Sequence, residues 1–365
     1  MNQSQQLKHT DRDQQSIALL SRLMFLEHDA NAGATMEIPE ISEQGFQQLV
    51  SLSDKHHVTV RALRVLRELA GFENQSALSE WCDSALKDES KRIANAIEWL
   101  YAIVQALQNS GCPVTVIKSL DHWPDLGSDL DLYTSGRPEQ VVSVMQEKLH
   151  AETEARSWGD RLANKWNFQV PGLPELVEVH VQYLGQTGEQ KLLAERVLRR
   201  SVTKTVNGRT FPVPAPEERI LISTLQRMYR HFYFRLCDMA DVAALLAGNE
   251  INFDELRKGA ELGGIWEGVA SFLVIVAEYV ARYGRSISLP EQVRSAAYSS
   301  HLSVTFKDTF LRVPMRPAAG LYGSQLMNAG RHGDLRAISR LPLLPPLAVS
   351  ALVAFRLTGS DKGVW

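Results

Sequence analysis

Between Val114 and Thr134 the chain reads VTVIKSLDHWPDLGSDLDLYT. The β-branched run Val114 to Ile117 favours a strand, and Pro124 and Gly127 mark a loop. Ser128 to Tyr133 then alternates polar and apolar residues, the period of a strand. Successive strand side chains point to opposite faces. Asp129 and Asp131 therefore share one face, and Leu130 and Leu132 the other. Two carboxylates side by side repel each other. A divalent cation between them relieves the repulsion, since hard cations such as Mg²⁺ take oxygen ligands. Asp-x-Asp is common, and on its own it also reads as a polar strand face at a sheet edge.

Leu176 to Tyr183, LVEVHVQY, supplies a third carboxylate on a second period-2 run. Glu178, His180 and Gln182 share one face; Val177, Val179 and Val181 share the other. An acid at the centre of an apolar strand needs a partner. Metals held by three carboxylates, with phosphates bound to them, are the machinery of nucleotidyl transfer.

Lys118-Ser119, then Asp129-x-Asp131, then Glu178-x-His180 resembles the DNA polymerase β-like nucleotidyltransferase superfamily. Within it the chain is most similar to the bacterial family of uncharacterised nucleotidyltransferases. The segments FQQLVSLSDKHHVTVRALRVL and RLCDMADVAALL resemble that family's helical regions before and after the catalytic sheet. The resemblance implies an α+β fold: a small mixed β-sheet nucleotidyltransferase core with flanking helices, plus N-terminal and C-terminal helical regions. It also implies Mg²⁺ (or Mn²⁺) on Asp129, Asp131 and Glu178 as catalytic and metal residues. Lys118, Ser119, Gly127, Ser128 and Arg235 would bind the nucleotide, with His180 and Asp238 behind them. The substrate would be an NTP and the acceptor is open: tRNA, a protein or a small molecule. Two residues depart from the family pattern. Ser119 stands where glycine is usual, and Glu178 where the third acid is commonly Asp.

At 365 residues, one large or two medium domains are expected, and 44% hydrophobic with 22% charged residues fits a globular chain. A net charge of −3 gives no global attraction to nucleic acid. Cys82, Cys112 and Cys237 are scattered, without Cys-x-x-Cys spacing, which argues against a disulfide framework and a zinc site. The N-terminus carries no secretory signal pattern. Reduced thiols and no leader point to a cytoplasmic protein.

The chain divides into an N-terminal helical region (1–88), a catalytic core (89–212) and a C-terminal helical domain (213–365). In the first, apolar spacing predicts helices from Asp11 and over 42–54 and 60–67, with His56 and His57 as structural histidines. Residues 74–88 read as a connector, and a helix follows over 88–109, ended by Gly111 and Pro113. A helix over 138–150, a hairpin over 166–183 and a small hairpin around Asn207-Gly208 come next. Arg196, Arg199, Arg200, Lys204 and Arg209 form a basic cluster, read as a solvated face or a phosphate-binding one. Beyond Pro216 the pattern is helical. Arg227, Arg230, His231 and Arg235 crowd an aromatic turn, which reads either as a wall opposite the carboxylates or as structural, with Asp238 pairing Arg235 at (i, i+3). The apolar run 341–355 is too short to span a bilayer and reads as a buried helix, so no integral membrane segment is expected. An active transferase, a degenerate nucleotide- or partner-binding protein of the same fold, and a membrane-surface protein acting through that run are the three functions in view.

Overall fold

The computed structural model describes residues 3–25, 38–248, 250–298, 304–307, 309–313 and 315–358. Its central sheet has five strands: β1 (Val114–Val116), β2 (Asp129–Thr134), β3 (Glu152–Thr153), β4 (Lys165–Gln169) and β5 (Leu176–Val181). Their spatial order is β1-β2-β5-β4-β3. β2 and β5 run parallel, with Asp131 opposite Glu178 and Tyr133 opposite His180. The other neighbours are antiparallel. A parallel pair needs a crossover, and it is made by the intervening helix and hairpin strands. This register is what places the third acid beside the first two.

Four helices precede the sheet: α1 (Gln3–Phe25), α2 (Glu43–Lys55), α3 (Thr59–Phe72) and α4 (Ser76–Asn109). Ser42 caps α2 by accepting the Gly45 N–H. Helix α4 is 34 residues long and begins at Ser76, so the connector expected over 74–88 is instead its first turns. Leu78 and Cys82, four residues apart, are buried there while their neighbours face out. That sparse spacing hid the helix among polar residues. Downstream, Ile97, Leu100, Val104 and Leu107 pack with Leu130, Leu132, Val177 and Val179 of the sheet. Truncating a buried leucine such as Leu100 to Ala costs about 2–5 kcal/mol.

α5 (Pro138–Leu149) starts with proline in its first turn. α6 (Trp158–Ala163) starts on a Ser157–Asp160 capping box. α7 (Leu192–Arg199) follows β5. β6 (Ser201–Val206) and β7 (Arg209–Pro214) form a hairpin closed by Asn207 and Gly208, both at positive φ. α8 (Pro216–Gln226) runs into a single π-turn, Arg227–His231. Then come β8 (Tyr233–Phe234), α9 (Leu236–Ala247), α10 (Phe253–Leu262), α11 (Trp266–Ala281) and α12 (Glu291–Ala296). β8 pairs with a hairpin of β9 (Thr305–Lys307) and β10 (Phe310–Arg312). α13 (Met315–His332), α14 (Leu335–Arg340) and α15 (Leu344–Thr358) close the described chain.

The fold is thus α+β, with a small mixed sheet among many helices. Its apolar residues form two main cores. One joins the sheet to α4 and α5. The other joins the N-terminal helices to α8, α9 and α11. α15 departs from the buried helix expected of the 341–355 run: Val349 is 61% exposed and Val353 49%. Leu341 is the anchor, packed with Ala329 and Ala337. Among the described residues, no helix is long and apolar enough to cross a membrane.

Candidate active site

The loop after β1 starts at Lys118, which takes a positive φ of 60°. Ser119 next to it accepts the Asp131 N–H at 2.7 Å and donates to the Asp129 carbonyl at 3.4 Å. The serine therefore ties the loop to the Asp-x-Asp strand. Further along, Asp125 accepts the Val60 N–H and the Arg61 Nε–H, the latter at 2.7 Å. Arg61 reaches on to Asp241 at 2.7 Å, and so clamps the loop against α9.

Loop, strands and helices enclose a cavity of about 160 Å³. Lys118, Ser119, Gly127, Asp129, Asp131 and Glu178 line it from the sheet. His57, His122, Gln226, Arg227, Arg230, His231, Tyr233 and Arg235 line it from the loop and helices. Ser128 is exposed and outside this lining; its hydroxyl donates to Asp129 Oδ2 at 3.3 Å.

Asp131, Glu178 and His180 each bring one ligand atom within 4.8 Å of the others. His180, read from sequence as a supporting residue, is thus a member of this donor set. Asp129 faces the same cavity. Burial raises its carboxyl to about 6, helped by the charges of Glu178 and Asp131. Asp131 behaves oppositely. Burial would raise it, but the Lys118 ammonium and His180 outweigh burial and hold it below the usual carboxylate range. Lys118 Nζ is ion-paired with Asp131, and His180 Nε2 lies 3.7 Å from the same oxygen. Burial lowers the His180 imidazole, which is therefore neutral, and neither of its nitrogens has a hydrogen-bond partner among the described residues. Glu178 is held at 3.1 Å by Lys165, which also meets Asp160 at 3.0 Å.

These residues fit a divalent cation. Asp131 and Glu178 converge with His180, and Asp129 faces the same cavity with its charge disfavoured by burial and by the other two acids. The carboxylate oxygens suit Mg²⁺ or Mn²⁺.

The opposite wall is cationic and is shaped by the π-turn, a feature frequent at functional sites. Arg227 is 2% exposed and bonds Asp238 at 2.7 Å. Asp238 also accepts the Arg235 backbone N–H at 2.7 Å. The side-chain partner of Asp238 is therefore Arg227 and not Arg235, which leaves the Arg235 guanidinium facing the cavity, 3.4 Å from His57 Nδ1. His56 is structural: it accepts the Leu236 N–H and contacts the Thr309 carbonyl at 2.9 Å. His57 departs from that expectation, because the chain turns at positive φ and sends its ring into the cavity. Nothing in the local pattern distinguishes it from His56. No local signal marks His122 either; its ring bonds Asp241, which is distant in sequence.

The basic cluster is largely consumed elsewhere. Arg196 and Arg200 meet Glu217, Glu218 and Glu255, Arg209 meets Glu98, and Lys204 caps the Leu120 carbonyl at 2.6 Å.

A family profile described as uncharacterised nucleotidyltransferase matches residues 42–281. The chain belongs to this family. Every cavity residue from His57 to Arg235 lies inside the matched span. Among solved structures, the chain is similar to the antibiotic-resistance factor ANT(2'')-Ia, at 12% identity over 46% of this chain and 91% of that one, with a TM-score of 0.33. It is also similar to an antigenic nucleotidyltransferase-like protein from Paracoccidioides brasiliensis, at 15% identity over 49% and 92% of the two chains, with a TM-score of 0.31. A comparison with curated proteins finds no match.

Proposed function

We propose that this chain is a metal-dependent nucleotidyltransferase of the DNA polymerase β-like superfamily, acting in the cytoplasm and moving an NMP group from an NTP to a hydroxyl, phosphate or amine. The observation that carries the reading is one cavity with an acidic wall of Asp129, Asp131 and Glu178 facing a cationic wall of Arg227, Arg230 and Arg235. A metal-bound triphosphate is itself two-signed, and the two walls match it.

Asp129, Asp131 and Glu178 would hold the Mg²⁺ or Mn²⁺, with His180 beside them. The cation, when bound, supplies charge neutralisation on the phosphates and Lewis acidity. Arg230 and Arg235 would take the phosphate oxygens, as guanidinium forks suit that geometry. Lys118 holds Asp131 in the charged form. With that carboxylate shared by a cation, Lys118 would be available to meet phosphate as a point charge. Glu178 would accept the acceptor's proton. His180, neutral and buried, would offer an imidazole nitrogen beside Asp131 and Glu178. Ser119 and Gly127 shape the floor: the first bonds the Asp-x-Asp backbone, and the second leaves room for His57.

A binding-only protein of the same fold is the second reading. It is favoured by the Lys118–Asp131 ion pair, which neutralises a metal ligand internally. One experiment separates the two. The protein is incubated with α-labelled NTPs, Mg²⁺ and cell extract, beside Asp131→Asn. Label appearing on a macromolecule or metabolite with the unaltered protein and not with Asp131→Asn supports transfer. Nucleotide binding with no label moved supports the second reading.

A further inference from the structure

The same cavity wall holds a second donor set that carboxylate chemistry leaves unused. His57 sits on the turn between α2 and α3, His122 in the loop after β1, and Cys237 in the first turn of α9. Each offers one ligand atom, and these atoms lie within 4.8 Å of one another.

We infer that His57, His122 and Cys237 form a binding site for a zinc-class transition-metal ion, distinct from the hard-cation site on the aspartates. The spacing fits. Cys237 Sγ lies 3.8 Å from His122 Nε2. A tetrahedral Zn²⁺, with bonds of roughly 2.3 Å to sulfur and 2.0–2.1 Å to nitrogen, separates such ligands by about 3.6 Å. The outer contacts fit as well. The other nitrogen of His122 bonds Asp241, and Asp241 is fixed by Arg61 at 2.7 Å. A carboxylate behind a ligating histidine sets its tautomer and orientation. His57 is held by steric means: a Cβ on Gly127 would meet its ring at 2.7 Å. A competing contact, Arg235 Nη1 to His57 Nδ1, is 3.4 Å long and correspondingly weak.

Ligand softness separates the two sites. A thiolate with two imidazoles selects zinc-class ions, whereas the acids opposite select Mg²⁺ or Mn²⁺. Position suggests what the ion does. Cys237 is fully buried, while His57 and His122 open on the cavity. Three protein ligands with a fourth position toward a cavity is the pattern of zinc sites that touch a substrate or water. A Cys–His–Asp nucleophile is the other reading of Cys237, His122 and Asp241. It requires sulfur open to the cavity, which Cys237 does not offer, and it leaves His57 without a role. The inference does not depend on nucleotidyl transfer.

The test is a Co²⁺ titration of the full-length, metal-stripped, reduced protein, followed by Zn²⁺. With excess Mg²⁺ present, one Co²⁺ per chain should give a thiolate-to-cobalt charge-transfer band, apart from any cobalt held without such a band by the carboxylates, and Zn²⁺ should displace it. Cys237→Ser should abolish the band, while Cys82→Ser, Cys112→Ser and Asp129→Asn keep it. Asp241→Asn should weaken Zn²⁺ affinity by about 10–100-fold. Cobalt binding without a thiolate band in the unaltered protein overturns the inference, whatever the variants do. So does a band that survives Cys237→Ser.

Discussion

The two aspartates of the Asp-x-Asp strand should have opposite effects on the stability of the metal-free protein. Asp129 is charged at a cost. Its carboxyl moves from an ordinary 3.8 to about 6, through burial and the charges of Glu178 and Asp131. At about 1.4 kcal/mol per pH unit, the ionised form is penalised by about 3 kcal/mol. The sign follows from linkage. Between pH 4 and 6 the unfolded chain has released this proton while the folded one keeps it, so stability falls as pH rises. Asn at 129 does not titrate. Asp129→Asn should therefore match the unaltered protein near pH 4 and exceed it by about 3 kcal/mol at pH 7. Asp131 is held low by Lys118, in a pair whose side chains are 12% and 13% exposed. Its contribution is present above the unfolded value and is lost as pH falls through the folded one. Asp131→Asn removes the ion-pair partner of the buried ammonium and leaves it only the nearby Asp129 charge, which costs at most about 3–5 kcal/mol at pH 7. Urea unfolding in EDTA, followed by circular dichroism from pH 4 to 8, measures both. Changes of the same sign at pH 7, or an Asp129→Asn difference that is flat with pH, would refute the electrostatic account of this wall.

Other expectations concern turnover and packing. Glu178→Gln should leave NTP–Mg²⁺ binding by equilibrium dialysis within a small factor and reduce single-turnover transfer by about 10²–10⁴-fold; unchanged transfer removes its role as base. Arg235→Ala should raise the nucleotide KM by about tenfold or more, the loss of one charge-assisted hydrogen bond, with kcat less affected. Gly127→Ala places a Cβ 2.7 Å from the His57 ring. The expected cost is about 1–3 kcal/mol of stability in a urea titration, and an unchanged midpoint would show that the ring has room to move.

What could be read in advance follows the range over which each signal acts. The Asp129 and Glu178 strands were visible because alternation is local, and they lie side by side within the five-stranded sheet. The hairpin at Asn207-Gly208 was visible because left-handed backbone favours those residues. The first turns of α4 were not, because two buried residues among polar ones make a thin stripe. Nor was the pairing of Asp238. An (i, i+3) neighbour is apparent in the sequence, whereas Arg227 reaches it only because the π-turn rotates the chain. His57 and His122 lie 65 residues apart, and their meeting depends on the Arg61 contacts to Asp125 and Asp241. The exposure of α15 is a tertiary outcome that its apolar composition does not disclose.

The cavity lies where the sheet core and the helical core meet. Its acids are rooted in one and its arginines in the other. Among the described residues, Arg61 is a rivet across that seam. A ligand with cation at one end and phosphate at the other adds a further rivet, so occupancy ties together two bodies that otherwise have separate reasons to melt. Stabilisation by a ligand grows as the logarithm of its concentration over its Kd, and here it falls on the joint. Calorimetry would register this as a narrower, more cooperative transition as well as a higher Tm. Hydrogen exchange would slow on both flanks of the seam, including helices that never touch the nucleotide.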